Sequence, residues 1–170
     1  MAEAKNASFD SIIDDLKARR FAPVYYLMGD EPYYIDKISD YIAEHVLQPE
    51  ERDFNQTVVF GSDVTASQVA DYARRYPMMS EHQVVIVKEA QNIKNTEALE
   101  KYFKQPLAST ILVICHKNGI VDGRKREYIK AIQSAGVLFE SKKLRDRDLP
   151  AFIENYLKAR EVTIDTKSTH

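Results

Sequence analysis

A single cysteine, Cys115, leaves no partner for an internal disulfide, so the chain does not read as a disulfide-stapled secreted scaffold. Long apolar runs are missing too. None approaches the roughly 18 residues needed to cross a bilayer, and the opening segment MAEAKNASFD has neither the apolar core of a secretion signal nor an arginine-rich presequence. No membrane association is expected, and the cytoplasm is the simplest location. Charge of one sign is also scarce: 24 Lys and Arg stand against 26 Asp and Glu, a formal net charge of -2. That balance excludes a global attraction for nucleic acid or anionic lipid, so any DNA contact must be local or shared with other chains. Internal repeats and low-complexity tracts are absent. His45, His82 and His170 lack the spacing of metal ligands.

What is present is a strand and helix alternation. With 44% hydrophobic residues, a chain of 170 can bury the core of one domain and begin another. Phe9, Ile12, Ile13 and Leu16 recur at helical spacing behind Ser8, a good N-cap, and predict a helix over 8–20. VYYLM is a short aromatic and β-branched run that stops at Gly29 and reads as a strand buried on both faces. A helix follows from Pro32, with Tyr34, Ile38, Tyr41, Ile42 and His45 on one side and Pro49 beyond its end. Next come a strand FNQTVVF, a helix with Val69, Tyr72, Ala73 and Tyr76 on its stripe, and a strand QVVIV. A short helix over 99–103, a strand STILVIC, a helix over 124–134 and a last strand VLFES complete the series. The expected fold class is α/β: a parallel sheet of the P-loop NTPase kind, flanked by helices and joined by right-handed crossovers.

The character changes at SKKLRDRDLP, where dense mixed charge precedes a helix carrying Leu149, Phe152, Ile153, Tyr156 and Leu157 with no strand after it. The expected division is one α/β domain over 1–140 and the start of a small helical domain over 141–170. A lone helix cannot bury its apolar face, so this second domain is expected to be incomplete.

Strand, glycine, helix is the layout of a phosphate-binding loop, but such a loop reads G-x-x-x-x-G-K-[ST]. Here Gly29 is followed by Asp30, Glu31, Pro32, Tyr33 and Tyr34, without a second glycine, lysine or hydroxyl on time. A carboxylate at a helix N-terminus is stabilised by roughly 0.3–1 kcal/mol. The same acid ~5 Å from a phosphate charge would repel it by roughly 3 kcal/mol at an effective dielectric of about 20. Repulsion outweighs attraction. The third strand, where an NTPase orders magnesium with acids, reads VVIVKEAQ, with Lys88 in the first acid's place and only Glu89 left. Two readings stand for these residues: acidic helix capping, or a divalent-metal enzyme site built from Asp30, Glu31 and Glu89. No cofactor is expected under the first.

Cys115 and His116 are neighbours on a strand and point to opposite faces, so they do not form a nucleophile and base pair. Arg124, Lys125 and Arg126 open a helix, the unfavourable end for cations, which suggests a polar partner or phosphate, or an ordinary solvated face. The sharpest surface signal is RRYPMMSEHQ. Pro77 breaks the ladder after Tyr76, and Met78 and Met79 follow at once. Neighbouring residues cannot both face one core direction, so at least one thioether is exposed, and methionine suits adaptable contact surfaces. Core packing of Met79 is the competing reading.

These segments together, PVYYLMGDEPYYIDK, YPMMSEHQVVIVKEAQNI, STILVICHKNGIVDGRKREYIKAI and KLRDRDLPAFIENYLKAREVTID, resemble the delta subunits of bacterial DNA polymerase III clamp loaders in order and spacing. The resemblance implies an AAA+-like domain that has lost ATP binding, followed by a helical lid, and a non-catalytic role in DNA replication. Members of that family grip the beta sliding clamp and help open its ring. Sibling gamma/tau subunits bind ATP, delta prime completes the loader, and primer-template DNA is met through the assembled complex. The family inserts two hydrophobic residues, often after a proline, into a pocket of the clamp. The matching positions are Met78 and Met79, behind Tyr76 and Pro77. Gly29, Asp30, Glu31, Lys88 and Glu89 would be the remnant of the nucleotide site. Relatives continue into a C-terminal collar that assembles the loader, and the resemblance implies that the collar is not among these residues.

Overall fold

The computed structural model describes residues 7–143. Helix α1 (Phe9–Lys17) starts at Ser8, whose hydroxyl accepts the Ser11 N–H at 3.1 Å. It stops short of residue 20 because Arg19 turns into the left-handed region, φ 60°. The Arg19 guanidinium then donates to the carbonyls of His45 and Val46, at 3.1 and 3.0 Å, and so closes helix α2 (Pro32–His45). Between them runs strand β1 (Val24–Gly29), buried at all six positions.

Pro49 proves to be a beginning: it occupies the first position of α3 (Pro49–Asn55), where a missing N–H costs nothing. Glu51 reaches back to the Gln48 N–H at 2.8 Å. Phe54 and Asn55, expected to open a strand, belong to this helix, and β2 begins afterwards (Gln56–Phe60). Helix α4 (Ala66–Ala73) has a reciprocal Thr65 and Gln68 capping box. It ends at Ala73, so Tyr76 leaves the stripe that its spacing suggested and is 75% exposed. Strand β3 (Gln83–Lys88), helix α5 (Glu97–Lys104), strand β4 (Thr110–Lys117), helix α6 (Arg126–Ala135) and strand β5 (Val137–Ser141) follow. His45, expected on the apolar side of α2, is exposed.

All five strands are parallel, in the order β2-β3-β4-β1-β5. Leu27 of β1 lies between Cys115 of β4 and Phe139 of β5. Alternation along each strand serves two cores. Tyr25, Leu27, Val84, Ile86, Ile111 and Val113 pack on α1 and α2. Tyr26, Met28, Val85, Val87, Leu112 and Ile114 pack on α4, α5 and α6. Each fully buried large apolar side chain stabilises the fold by roughly 1.5–3 kcal/mol. The edge strand β2 departs furthest from the buried-strand pattern, with Val58 and Phe60 exposed, while β5 at the other edge is buried at three of its five positions. The expected lid helix over 149–157 lies outside the described residues, as do Arg145, Arg147 and His170. No helix among the described residues is long and apolar enough to cross a membrane.

Candidate functional site

At the carboxyl ends of the strands, the turn after β1 is filled by the protein's own groups. Gly29 adopts φ 132°, open only to glycine, and a β-carbon there would run into the backbone carbonyl of Ser141. Its N–H donates to Gly119 O at 2.8 Å and its carbonyl accepts from Asn118 N at 2.9 Å. The Glu31 side chain caps α2, accepting the Tyr33 N–H at 3.0 Å, and Pro32 removes another of the helix's free donors. Asp30 Oδ1 accepts the Lys143 N–H at 2.9 Å. Both acids are committed to backbone, as the capping reading expected for Glu31.

Glu89 is spent elsewhere. It sits in the left-handed region, φ 55°, and accepts from Gln91 Nε2 at 2.7 Å, while Gln91 Oε1 accepts the Lys117 N–H at 3.0 Å. Lys117 Nζ is 2.7 Å from Asp36 of α2. Partial burial works to lower the Lys117 pKa, but the hydrogen bond and attraction of Asp36 reverse this and hold it above the ordinary lysine value. Lys88 ends β3 half-buried. Asp30, Glu31 and Glu89 are thus drawn into three separate bonding patterns. Among the described residues no group of three or more His, Cys, Asp or Glu is arranged to hold a metal ion. The metal-enzyme alternative has no support here.

Cys115 and His116 diverge as adjacent strand residues must. Burial pushes the Cys115 thiol up to about 11. His116 turns to the other core, with Nδ1 3.0 Å from the Tyr26 hydroxyl, and burial with nearby Lys125 lowers its pKa. The basic cluster is interleaved with acids. Arg124 is folded back onto Asp122, with Nη2 to Oδ2 at 2.8 Å, and Lys125 lies 5.9 Å from the Tyr128 ring centre. Together with Arg126 and Lys94 they line an open cleft of about 620 Å³ that also contains Glu97, Glu100 and Glu127.

The segment between α4 and β3 is different: its centre, Tyr76 to Met79, is apolar and largely exposed. Met78 is 60% and Met79 99% accessible, next to Tyr76 and half-buried Pro77. This tip is held from beneath. Gln83, only 6% exposed, donates from Nε2 to the carbonyls of Tyr72 and Arg75 at 2.8 and 2.7 Å. Thr110 donates to the Ala73 carbonyl at 2.6 Å. The last turn of α4, whose carbonyls have no partners within the helix, is thereby closed by two strands. Asn55, at the end of α3 and 2% exposed, accepts the Met78 N–H at 2.7 Å and donates to the Met78 carbonyl at 2.9 Å. Met79 has φ 56°, which costs a non-glycine residue about 1 kcal/mol or more. Sequence spacing marks Tyr76 to Met79 but not Asn55, Gln83 or Thr110, because contacts over 8 to 37 residues leave no local period.

A parallel sheet with helices on both faces, a loop after its first strand tied up by the protein's own groups and an exposed apolar tip define an α/β domain. The sequence pattern of the family described as DNA polymerase III, delta subunit, matches residues 25–142, and the chain belongs to that family. It is similar to the DNA polymerase III subunit delta of Bacillus subtilis (strain 168), 29% identical in an alignment 163 residues long that covers 90% of this chain and 47% of that protein. The solved DNA clamp loader delta protein of Bacillus subtilis superposes with a TM-score of 0.76 at 27% identity, over 91% of this chain and 48% of that one. A DNA polymerase III gamma subunit-related protein of Thermotoga maritima shares the fold, with a TM-score of 0.50 at 14% identity over 88% of this chain and 50% of that one. The chain spans about half the length of the relatives it matches.

Proposed function

We propose that this chain is the clamp-contacting part of a clamp-loader delta subunit, which binds the beta sliding clamp and helps open the ring for loading on primed DNA. The contact is made by Tyr76, Pro77, Met78 and Met79. The observation that carries the reading is the near-complete exposure of Met79 beside exposed Met78 on a tip held by part-buried hydrogen bonds to Asn55. Burying two methionine side chains in a pocket gains roughly 1.5–3 kcal/mol each before ordering costs, and a fixed tip keeps those costs small. Opening follows only to the extent that the tip binds the open ring more tightly than the closed one.

The chain acts without turnover of its own, because the loop after β1 is filled with carboxylates that repel a triphosphate. Energy comes from gamma/tau subunits, and delta prime and primer-template DNA are met in the assembled loader in the bacterial cytoplasm. Arg124, Lys125 and Arg126 are candidates for a polar contact with a neighbouring subunit. The residues after β5, whose last residue is Ser141, begin the lid, one position later than the expected division at 141. Titration of purified beta clamp with this chain and with Met78→Ala/Met79→Ala tests the reading. The double variant is expected to bind at least ~2 kcal/mol more weakly, and equal affinity for both proteins would sink the assignment.

A further inference from the structure

We infer that Asn55 is the positioning residue of the docking tip, a role that rests on the clamp-binding reading above. Asn55 lies in a different helix from the tip's own, yet its side chain bonds both polar groups of the Met78 backbone, at 2.7 and 2.9 Å. This is how one strand residue pairs with another. Its second amide hydrogen goes to the Glu51 carbonyl at 3.1 Å, so both donors are used and the amide cannot rotate without losing bonds. Asn55 itself is 2% exposed, so water is kept from its side of these part-buried contacts.

Met78 is therefore held on three sides. Pro77 before it restricts the backbone, Asn55 clamps it from across, and Met79 after it is kept in the left-handed region. A non-glycine residue stays in that region only where its surroundings over-determine it. Release of the Met78 backbone removes that determination, and Met79 relaxes toward ordinary φ values, which swings its side chain away from its neighbour. Asn55 need not touch the partner to control how the two thioethers are presented.

Asn55→Asp tests this with nearly unchanged shape. The carboxylate still accepts the Met78 N–H but turns a lone pair toward the Met78 and Glu51 carbonyls. The variant is expected to bind beta clamp at least tenfold more weakly, while Met78→Ala/Met79→Ala combined with Asn55→Asp binds no worse than Met78→Ala/Met79→Ala alone. That non-additivity distinguishes positioning from a general structural role, which would add its loss independently. Full affinity of Asn55→Asp, when Met78→Ala/Met79→Ala has lost binding, overturns the inference; undiminished binding of the methionine double variant overturns the docking reading instead. If Asn55→Asp does not fold, amide exchange in the unaltered chain decides: the Met78 N–H is expected to be protected at least tenfold over an unstructured amide, and free exchange refutes the clamp.

Discussion

Gly29 and Ser141 meet so closely at the end of the sheet that a β-carbon on the first would occupy the place of the second's carbonyl oxygen. That carbonyl also accepts the Glu31 N–H at 3.3 Å, and the Ser141 hydroxyl donates back to the Glu31 carbonyl at 2.7 Å. A glycine after the first strand suggests a phosphate loop. In this protein the glycine is required by the close approach of the β5 backbone.

Gly29→Ala is expected to destabilise the domain by on the order of 3 kcal/mol or more, since it combines a forbidden φ with a backbone clash. Urea unfolding of the variant beside the parent measures it, and a midpoint unchanged within error would show that the β1 to β5 junction gives way easily.

Glu31→Ala removes the cap of α2 and is expected to cost about 1 kcal/mol. Glu31→Gln keeps an acceptor oxygen and should recover part of the loss. Thermal unfolding of the pair separates the hydrogen bond from the charge.

Gln83→Leu fills the same space but abandons the carbonyls of Tyr72 and Arg75. A loss of roughly 1–3 kcal/mol is expected, with the largest rise in amide exchange over residues 72–79. Uniform exchange across the domain would mean that Gln83 supports the whole sheet and not the tip in particular.

His116 makes stability depend on pH in a stated direction. Its folded pKa lies below its ordinary value of 6.5, so the unfolded chain takes up the proton more readily. The contribution is complete above about 6.5 and is lost as pH falls toward the folded pKa. His116→Gln is expected to flatten that part of the profile between pH 7 and 5.

Met78→Ala/Met79→Ala is expected to leave thermal stability within about 0.5 kcal/mol of the parent, because the methionines are exposed before any partner binds. A larger loss would indicate that the thioethers support the fold, contrary to a docking role.

Strand order in the chain, parallel pairing and the two helical layers were legible because β1, β3 and β4 are apolar runs of strand length separated by helical periods. The exceptions have local causes that the patterns did not weigh. Pro49 stands where a helix end is expected, but proline also starts helices, and this conceals α3 and puts Phe54 and Asn55 in an expected strand. Tyr76 continues an i, i+3 pattern, but a period cannot sense that Gln83 and Thr110 take the carbonyls of Tyr72, Ala73 and Arg75 just before it.

Chemical identity along the chain was enough to fix the class of fold, to place carboxylates where a phosphate loop would need lysine, and to draw attention to two methionines behind a proline. Those are properties of neighbouring residues, governed by periodicity and charge. Which way the methionines face, that Asp30, Glu31 and Glu89 go to three different partners, and that Asn55 holds Met78 were decided only when distant segments came together. Buried hydrogen bonds must be satisfied by whatever groups the packing brings within 3 Å or so, and sequence separation says little about which groups those will be.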